Sequence, residues 1–231
     1  MKRGYSVALL LALACGSEEP ADEPTLSRDE LLDPETCKSC HADHYEEWSG
    51  SMHAYASEDP VFVAMNARGQ TETNGALGDF CVSCHAPMAV REGATTDGTN
   101  LAELPAKLKG VTCYFCHNIE SVDGEHNALV SLANDVTMRG SISDPVKSTA
   151  HRSAYSPHFD RKRPESAAAC GACHDLHLPS PPAPAAVHLE RTFAEWKETI
   201  FSGKDGNDLR PCNSCHMTSI PNSVIADAPG V

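Results

Sequence analysis

Five short runs carry the reactive side chains of this chain: Cys37-Lys-Ser-Cys40-His41, Cys81-Val-Ser-Cys84-His85, Cys113-Tyr-Phe-Cys116-His117, Cys170-Gly-Ala-Cys173-His174 and Cys212-Asn-Ser-Cys215-His216. In one helical turn, cysteines at i and i+3 and a histidine at i+4 project from the same side. Two thiols can then add to the two vinyl groups of one porphyrin, and the imidazole can take an axial place on its iron. That is the attachment signal for haem c. Zinc half-sites also use Cys-x-x-Cys, but zinc sets no requirement for histidine directly after the second cysteine. Five pairs also cannot be divided evenly into four-cysteine sites. A disulfide framework would leave the five histidines unexplained. The fifteen residues are therefore candidate haem-binding residues for five covalently bound haem c groups, with His41, His85, His117, His174 and His216 as proximal iron ligands.

The elements that must position these motifs look thin. The chain has 231 residues, of which 6% are aromatic, with 15 Gly and 16 Pro. An apoprotein of that composition buries a poor core for its size, and haems would supply the missing apolar bulk. The expected fold is mainly α with extensive irregular loops and little or no β-sheet, the core being filled by stacked haems. A formal charge of -14 argues against nucleic acid as a partner. It suits a basic redox partner, an oxide or a cation, or serves solubility alone.

The N-terminus reads as a targeting segment. Lys2 and Arg3 precede an apolar stretch, Tyr5 to Ala14, too short to span a bilayer permanently. Cys15 follows it. Residues 1–15 resemble a bacterial lipoprotein signal, which implies lipidation of Cys15 and a membrane anchor, although Ala12 stands where Leu is usual. An ordinary secretory signal is the alternative, but lipidation also accounts for an eleventh cysteine outside the five pairs. Residues 16–34, acidic and proline-bearing, are expected to be a flexible tether. Residues 35–218 would form the haem domain, with Asp33-Pro34 starting the first helical turn, and 219–231 a tail.

After His41 the chain runs Tyr45-Glu-Glu-Trp48-Ser-Gly-Ser51-Met-His53, with Tyr45, Trp48 and Met52 at helical spacing. The whole pattern C-x-x-C-H-x-x-x-Y-x-x-W-x-x-S-x-H resembles the signature of the multihaem cytochrome c-554 family, also called the cytochrome c-552/4 domain. Gly110-Val-Thr-Cys113 resembles the same family's G-V-x-C-x-x-C-H. The resemblance implies that His53 is a distal ligand to a different haem from that of His41. A second run, Phe193-Ala-Glu-Trp196-Lys-Glu-Thr199-Ile-Phe201, echoes Tyr45, Trp48 and Ser51, with Phe201 where His53 stood. It suggests a weak internal repeat.

Seven histidines lie outside the motifs: His44, His53, His126, His151, His158, His177 and His188. His44 and His177 stand three residues past a proximal histidine and cannot cap their own haem. That leaves His53, His126, His151, His158 and His188 as candidate distal ligands. Met88, three residues past His85, is better suited to packing than to ligation.

Two imidazoles on every iron leave no open position, which favours electron transfer over chemistry on a substrate. The expectation is a lipid-anchored pentahaem electron carrier, exported to the periplasm or the outer membrane, passing electrons between redox partner proteins or to a terminal acceptor. The alternative is a small multihaem reductase with one five-coordinate haem. Related pentahaem reductases typically carry Cys-x-x-Cys-Lys, whereas every motif here ends in His.

Overall fold

The structure is a computed structural model that describes residues 23–178, 187–206 and 208–218. The expected lipidation site Cys15 and signal segment, the first part of the expected tether, the Pro-rich run after Leu178 and the stretch from 219 lie outside them. No helix among the described residues is long and apolar enough to cross a membrane.

Short helices and long connections dominate, as the composition suggests. The longest helix among the described residues is Pro60–Glu72, capped by Asp59 Oδ1, which accepts from the amides of Val61 and Phe62, and started by Pro60. The expectation of little or no sheet is corrected by three two-stranded ladders. Ile119–Val122 pairs antiparallel with Val130–Leu132, and Leu176–Leu178 with Val187–Glu190. Thr137–Gly140 runs parallel to Arg152–Tyr155. Each ladder is too short to be stable alone and gains its strand conformation from packing against a motif. Such pairing leaves little trace in local propensity.

Within the expected tether of residues 16–34, the stretch 25–34 is docked on the fold. Ser27 forms a capping box with Glu30 at the start of the helix Arg28–Leu32, and Leu31 and Leu32 are each 2% exposed. The amides of Thr25 and Leu26 donate to the carbonyls of Thr149 and Ala150 at 2.8 and 3.0 Å. Two adjacent leucines in an acidic run are enough to dock it. Asp33 and Pro34 do start the next helix, Pro34–Lys38, with Asp33 Oδ1 accepting from the Glu35 amide at 3.0 Å.

One apolar cluster joins Leu31 and Leu32 to Val82, Ala86, Met88, Tyr114, Phe115, Ile119 and Val130. It surrounds the second and third motifs. Met88 is fully buried there as packing.

Candidate haem centres

Each motif is a single helical turn. The amide of His41 donates to the Cys37 carbonyl at 2.8 Å, His174 to Cys170 at 2.9 Å, His216 to Cys212 at 2.9 Å and His85 to Cys81 at 3.3 Å. Cys113–His117 is a short helix capped by the Thr112 hydroxyl. The backbone thus puts two thiols and one imidazole together in all five, and all ten thiols are free.

Three sulfur contacts order the motifs in space. The free thiols of Cys37 and Cys113, of Cys84 and Cys173, and of Cys170 and Cys212 lie within hydrogen-bonding reach of each other. Motif 1 therefore neighbours motif 3, motif 2 neighbours motif 4, and motif 4 neighbours motif 5. The Cys116 thiol is pushed up to about 12 by burial, and the strand Ile119–Val122 just after motif 3 contacts the helix Glu165–Gly171 that carries Cys170 of motif 4. The Cys212 thiol is lowered to about 7, chiefly by the hydrogen bond from Cys170.

Two proximal histidines are already oriented. Nδ1 of His85 lies 2.9 Å from the Ala56 carbonyl oxygen, and Nδ1 of His117 lies 2.5 Å from that of Arg139. A carbonyl only accepts, so each Nδ1 must donate, which leaves Nε2 to bind a metal. Phe62 stacks on the His85 ring at 4.0 Å and Phe159 on the His117 ring at 4.9 Å. Burial pushes the His117 imidazole below its ordinary value and so favours the neutral, metal-binding form.

Two distal candidates face proximal partners. The His53 and His174 rings are 6.1 Å apart and the His41 and His151 rings 6.2 Å apart, centre to centre. Two imidazoles sharing one iron stand roughly 6 Å apart, from metal–nitrogen bonds of about 2 Å and the ring radii. His44 also lies 6.3 Å from His41. It sits on the helix that His41 begins, so it cannot reach the opposite side of that iron. Burial lowers the His53 imidazole, with the nearby His174 adding to the effect.

The remaining expected ligands are placed differently. Nδ1 of His158 is 3.4 Å from the Glu165 carbonyl oxygen, and its neighbour Phe159 accepts from the Asn213 side chain of motif 5 at 3.1 Å. His126 stacks on His177 at 4.3 Å, and its buried Nδ1 has no hydrogen-bond partner. His188 and His177 turn Nε2 to one oxygen of Asp175, at 2.5 and 2.9 Å, while the other oxygen accepts from the Ala194 amide. Asp175 is 3% exposed. Burial alone would raise its carboxyl, but these donors outweigh that and hold it below the ordinary aspartate value. Sequence reasoning missed Asp175. Its only signal was a carboxylate directly after His174.

The donor set fits haem c. Paired thiols, an adjacent imidazole with Nε2 free, and a second imidazole at the right remove are what the group requires. A cavity of about 350 Å³ opens beside Cys81, Cys84 and His85, walled by Phe62, Met65 and Phe80.

Around motif 1 the Trp48 indole donates to the Val111 carbonyl at 2.8 Å, and Tyr45 donates to Glu35 Oε1. Met52 does not share their face. The helix Ala42–Ser49 ends at Gly50, a new one starts at Met52, and Met52 is 64% exposed.

Residues 36–118 match the family described as cytochrome c554 and c-prime. No curated protein matches the chain. Among solved structures it is similar to a penta-heme cytochrome c552 from Thermochromatium tepidum, with 25% identity and a TM-score of 0.55, over 90% of this chain and 57% of that one. The chain thus spans little more than half the length of that protein. With five attachment motifs folded as attachment turns, these similarities support a multihaem c-type cytochrome family for the chain.

Proposed function

We propose that this chain is a pentahaem electron-transfer protein in which at least two irons carry two histidines each. The similarity to multihaem c-type cytochromes supports electron transfer. The observation that carries the finer reading is the separation of about 6 Å between His53 and His174 and between His41 and His151. Bound at the five motifs, haem supplies a one-electron iron couple. The chain's own residues do the rest. His53 joins the haem site of motif 4 and His151 that of motif 1, each closing a position a substrate would otherwise take. His158, held beside motif 5 by Phe159 and Asn213, serves that motif. His126 and His188 are held beside His177 and Asp175 and would be ligands to the remaining sites.

The sulfur contacts, with the contact of Ile119–Val122 on Glu165–Gly171, support a route from motif 1 to 3 to 4, with motifs 2 and 5 both reached from 4. Packing of neighbouring attachment turns keeps each transfer short. We further infer, from the signal segment and Cys15, a lipid-anchored protein of the periplasm or outer membrane. Its partners would be redox proteins or a terminal acceptor.

A second reading has its own observation. Among the described residues walling the His85 cavity, His85 is the one imidazole. A five-coordinate haem there would make the chain a small ligand-binding protein or reductase at motif 2.

One experiment separates the two. The holoprotein, matured in a host that attaches haem c, is assayed for haem content and then for CO binding in the reduced state. The electron-carrier reading predicts five haems and low-spin spectra for the sites of motifs 1 and 4. His53→Ala should make one haem in five high-spin and CO-reactive, with all five still attached. A fully low-spin His53→Ala variant would sink the axial assignment. CO binding by the unsubstituted protein, abolished by filling the cavity with Met65→Trp, would favour the second reading.

A further inference from the structure

We propose that the chain contains two copies of one pairing unit, motif 1 with motif 3 and motif 4 with motif 5, and that Trp48 and Trp196 are the positioning residues that fix the spacing of the paired haem sites. The proposal rests on the reading that the motifs carry haem.

The two copies share a set of bonds, residue for residue. The Trp48 indole N–H donates to the carbonyl of Val111, two residues before Cys113, at 2.8 Å. The Trp196 indole N–H donates to the carbonyl of Arg210, two residues before Cys212, at 3.1 Å. The amides of those same residues are held from the other side. Val111 donates to the His53 carbonyl and Arg210 to the Phe201 carbonyl, both at 2.8 Å. The Ser51 hydroxyl donates back to the Trp48 carbonyl at 2.7 Å, and the Thr199 hydroxyl to the Trp196 carbonyl at 2.8 Å. Three residues before each tryptophan an aromatic ring packs on it, Tyr45 at 5.8 Å and Phe193 at 5.6 Å. Tyr45, Trp48, Ser51 and His53 stand at one constant offset from Phe193, Trp196, Thr199 and Phe201. In both copies the first cysteine of one motif touches the first cysteine of the other, Cys37 with Cys113 and Cys170 with Cys212.

The physical consequence is a clamp. The peptide leading into the second motif has its carbonyl and its amide both tied to the segment that follows the first motif. Two bonds to one residue leave the second attachment turn little freedom to slide or rotate. Each unit carries its insertion at a different place. The first has motif 2 and its surroundings between Trp48 and Val111. The second has the ladder Leu176–Leu178 with Val187–Glu190 between His174 and Trp196. Motif 2 stands outside both units and meets motif 4 through Cys84 and Cys173.

Two conservative substitutions test this in the full holoprotein. Trp48→Phe and Trp196→Phe keep the ring and remove the indole N–H. The wild-type haem count, read by pyridine haemochrome and mass, tests whether the motifs carry haem at all, independently of the clamps. Given five haems, both variants should still hold five. In the EPR spectrum and the potentiometric titration, Trp48→Phe should lose the interaction features of one haem pair and Trp196→Phe those of a different pair, with the double variant losing both. A general loosening would not separate in this way. Should a Phe variant fail to mature, Ser51→Ala and Thr199→Val, which keep the indoles, should shift the same two sets of features to a smaller extent. Unchanged coupling in all variants, or loss of the same features in both, overturns the proposal.

Discussion

The two clamped units share their hydrogen bonds but not their apolar packing. Motif 3 carries Tyr114 and Phe115 between its cysteines, fully buried and 3% exposed, in the centre of the main apolar cluster. Motif 5 carries Asn213 and Ser214 at the same two places, and its Cys215 and His216 are exposed. Phe193 is buried on the second unit, against Gly171, where any added Cβ would lie 2.4 Å from the ring. It stands apart from the main cluster. The comparison separates two jobs. Main-chain bonds set the geometry of a haem pair, while buried side chains decide how firmly that pair is held to the rest of the molecule.

The sharpest way to break the comparison is to remove the packing from one unit only. Phe115→Ala should destabilise the holoprotein by about 3–5 kcal/mol. The matching Ser214→Ala should stay within about 0.5 kcal/mol. Urea unfolding followed by the haem absorbance checks both. Equal costs would mean that the two units are stabilised alike and that the contrast in burial carries no weight.

Next in size is a backbone test. Gly110, just before the clamped Val111, has φ +62, and a Cβ there would meet the Ala54 carbonyl oxygen at 2.4 Å. Its counterpart in the second unit is Leu209. Gly110→Ala should cost about 1–3 kcal/mol in the same assay. A neutral result would show that the first unit does not depend on this close approach.

The smallest effect concerns an ion pair that only the first unit owns. Arg139 bonds Asp135 at 3.1 Å while its carbonyl holds His117. Burial raises the Asp135 carboxyl, but Arg139 and the Thr137 amide outweigh it and leave it below the ordinary aspartate value. A depressed carboxyl contributes stability above its unfolded pKa and loses it as pH falls through the folded one. Asp135 is 42% exposed at the side chain, so solvent screens the pair. Asp135→Asn should therefore cost no more than about 1 kcal/mol at pH 7. The difference from wild type should vanish in acid, below the ordinary aspartate range. A difference that persists there would place its cause outside the ion pair.

Much of the site could be read from the chain itself. The five motifs are covalent chemistry written in side chains, and the tyrosine and tryptophan after motif 1 and their echo before motif 5 are side chains too. The clamps were hidden because their acceptors are the carbonyls of Val111 and Arg210. A carbonyl is present at every residue and leaves no mark on residue type, so an apolar and a charged residue fill one role. The docking of Leu31 and Leu32 was obscured by the acidic residues around them. The three ladders were obscured by their shortness, since strands of three or four residues owe their form to what they pack on. The facing of His53 to His174 could be expected only as some distal contact. Which haem it serves depends on the fold bringing residues far apart in sequence together.

The pairing of His53 with Phe201 at the same place in the two units has a consequence for growth. In polymer terms, His53 in its proposed ligand role is a propagating end. Its carbonyl belongs to one unit while its imidazole reaches His174 in the next. Phe201 offers its carbonyl to the clamp in the same way, but its ring has no atom that can bind iron and is 45% exposed. It is a terminator. With His53 in the ligand role proposed above, the residue at this position sets whether a unit hands on a ligand to a further haem or closes the series.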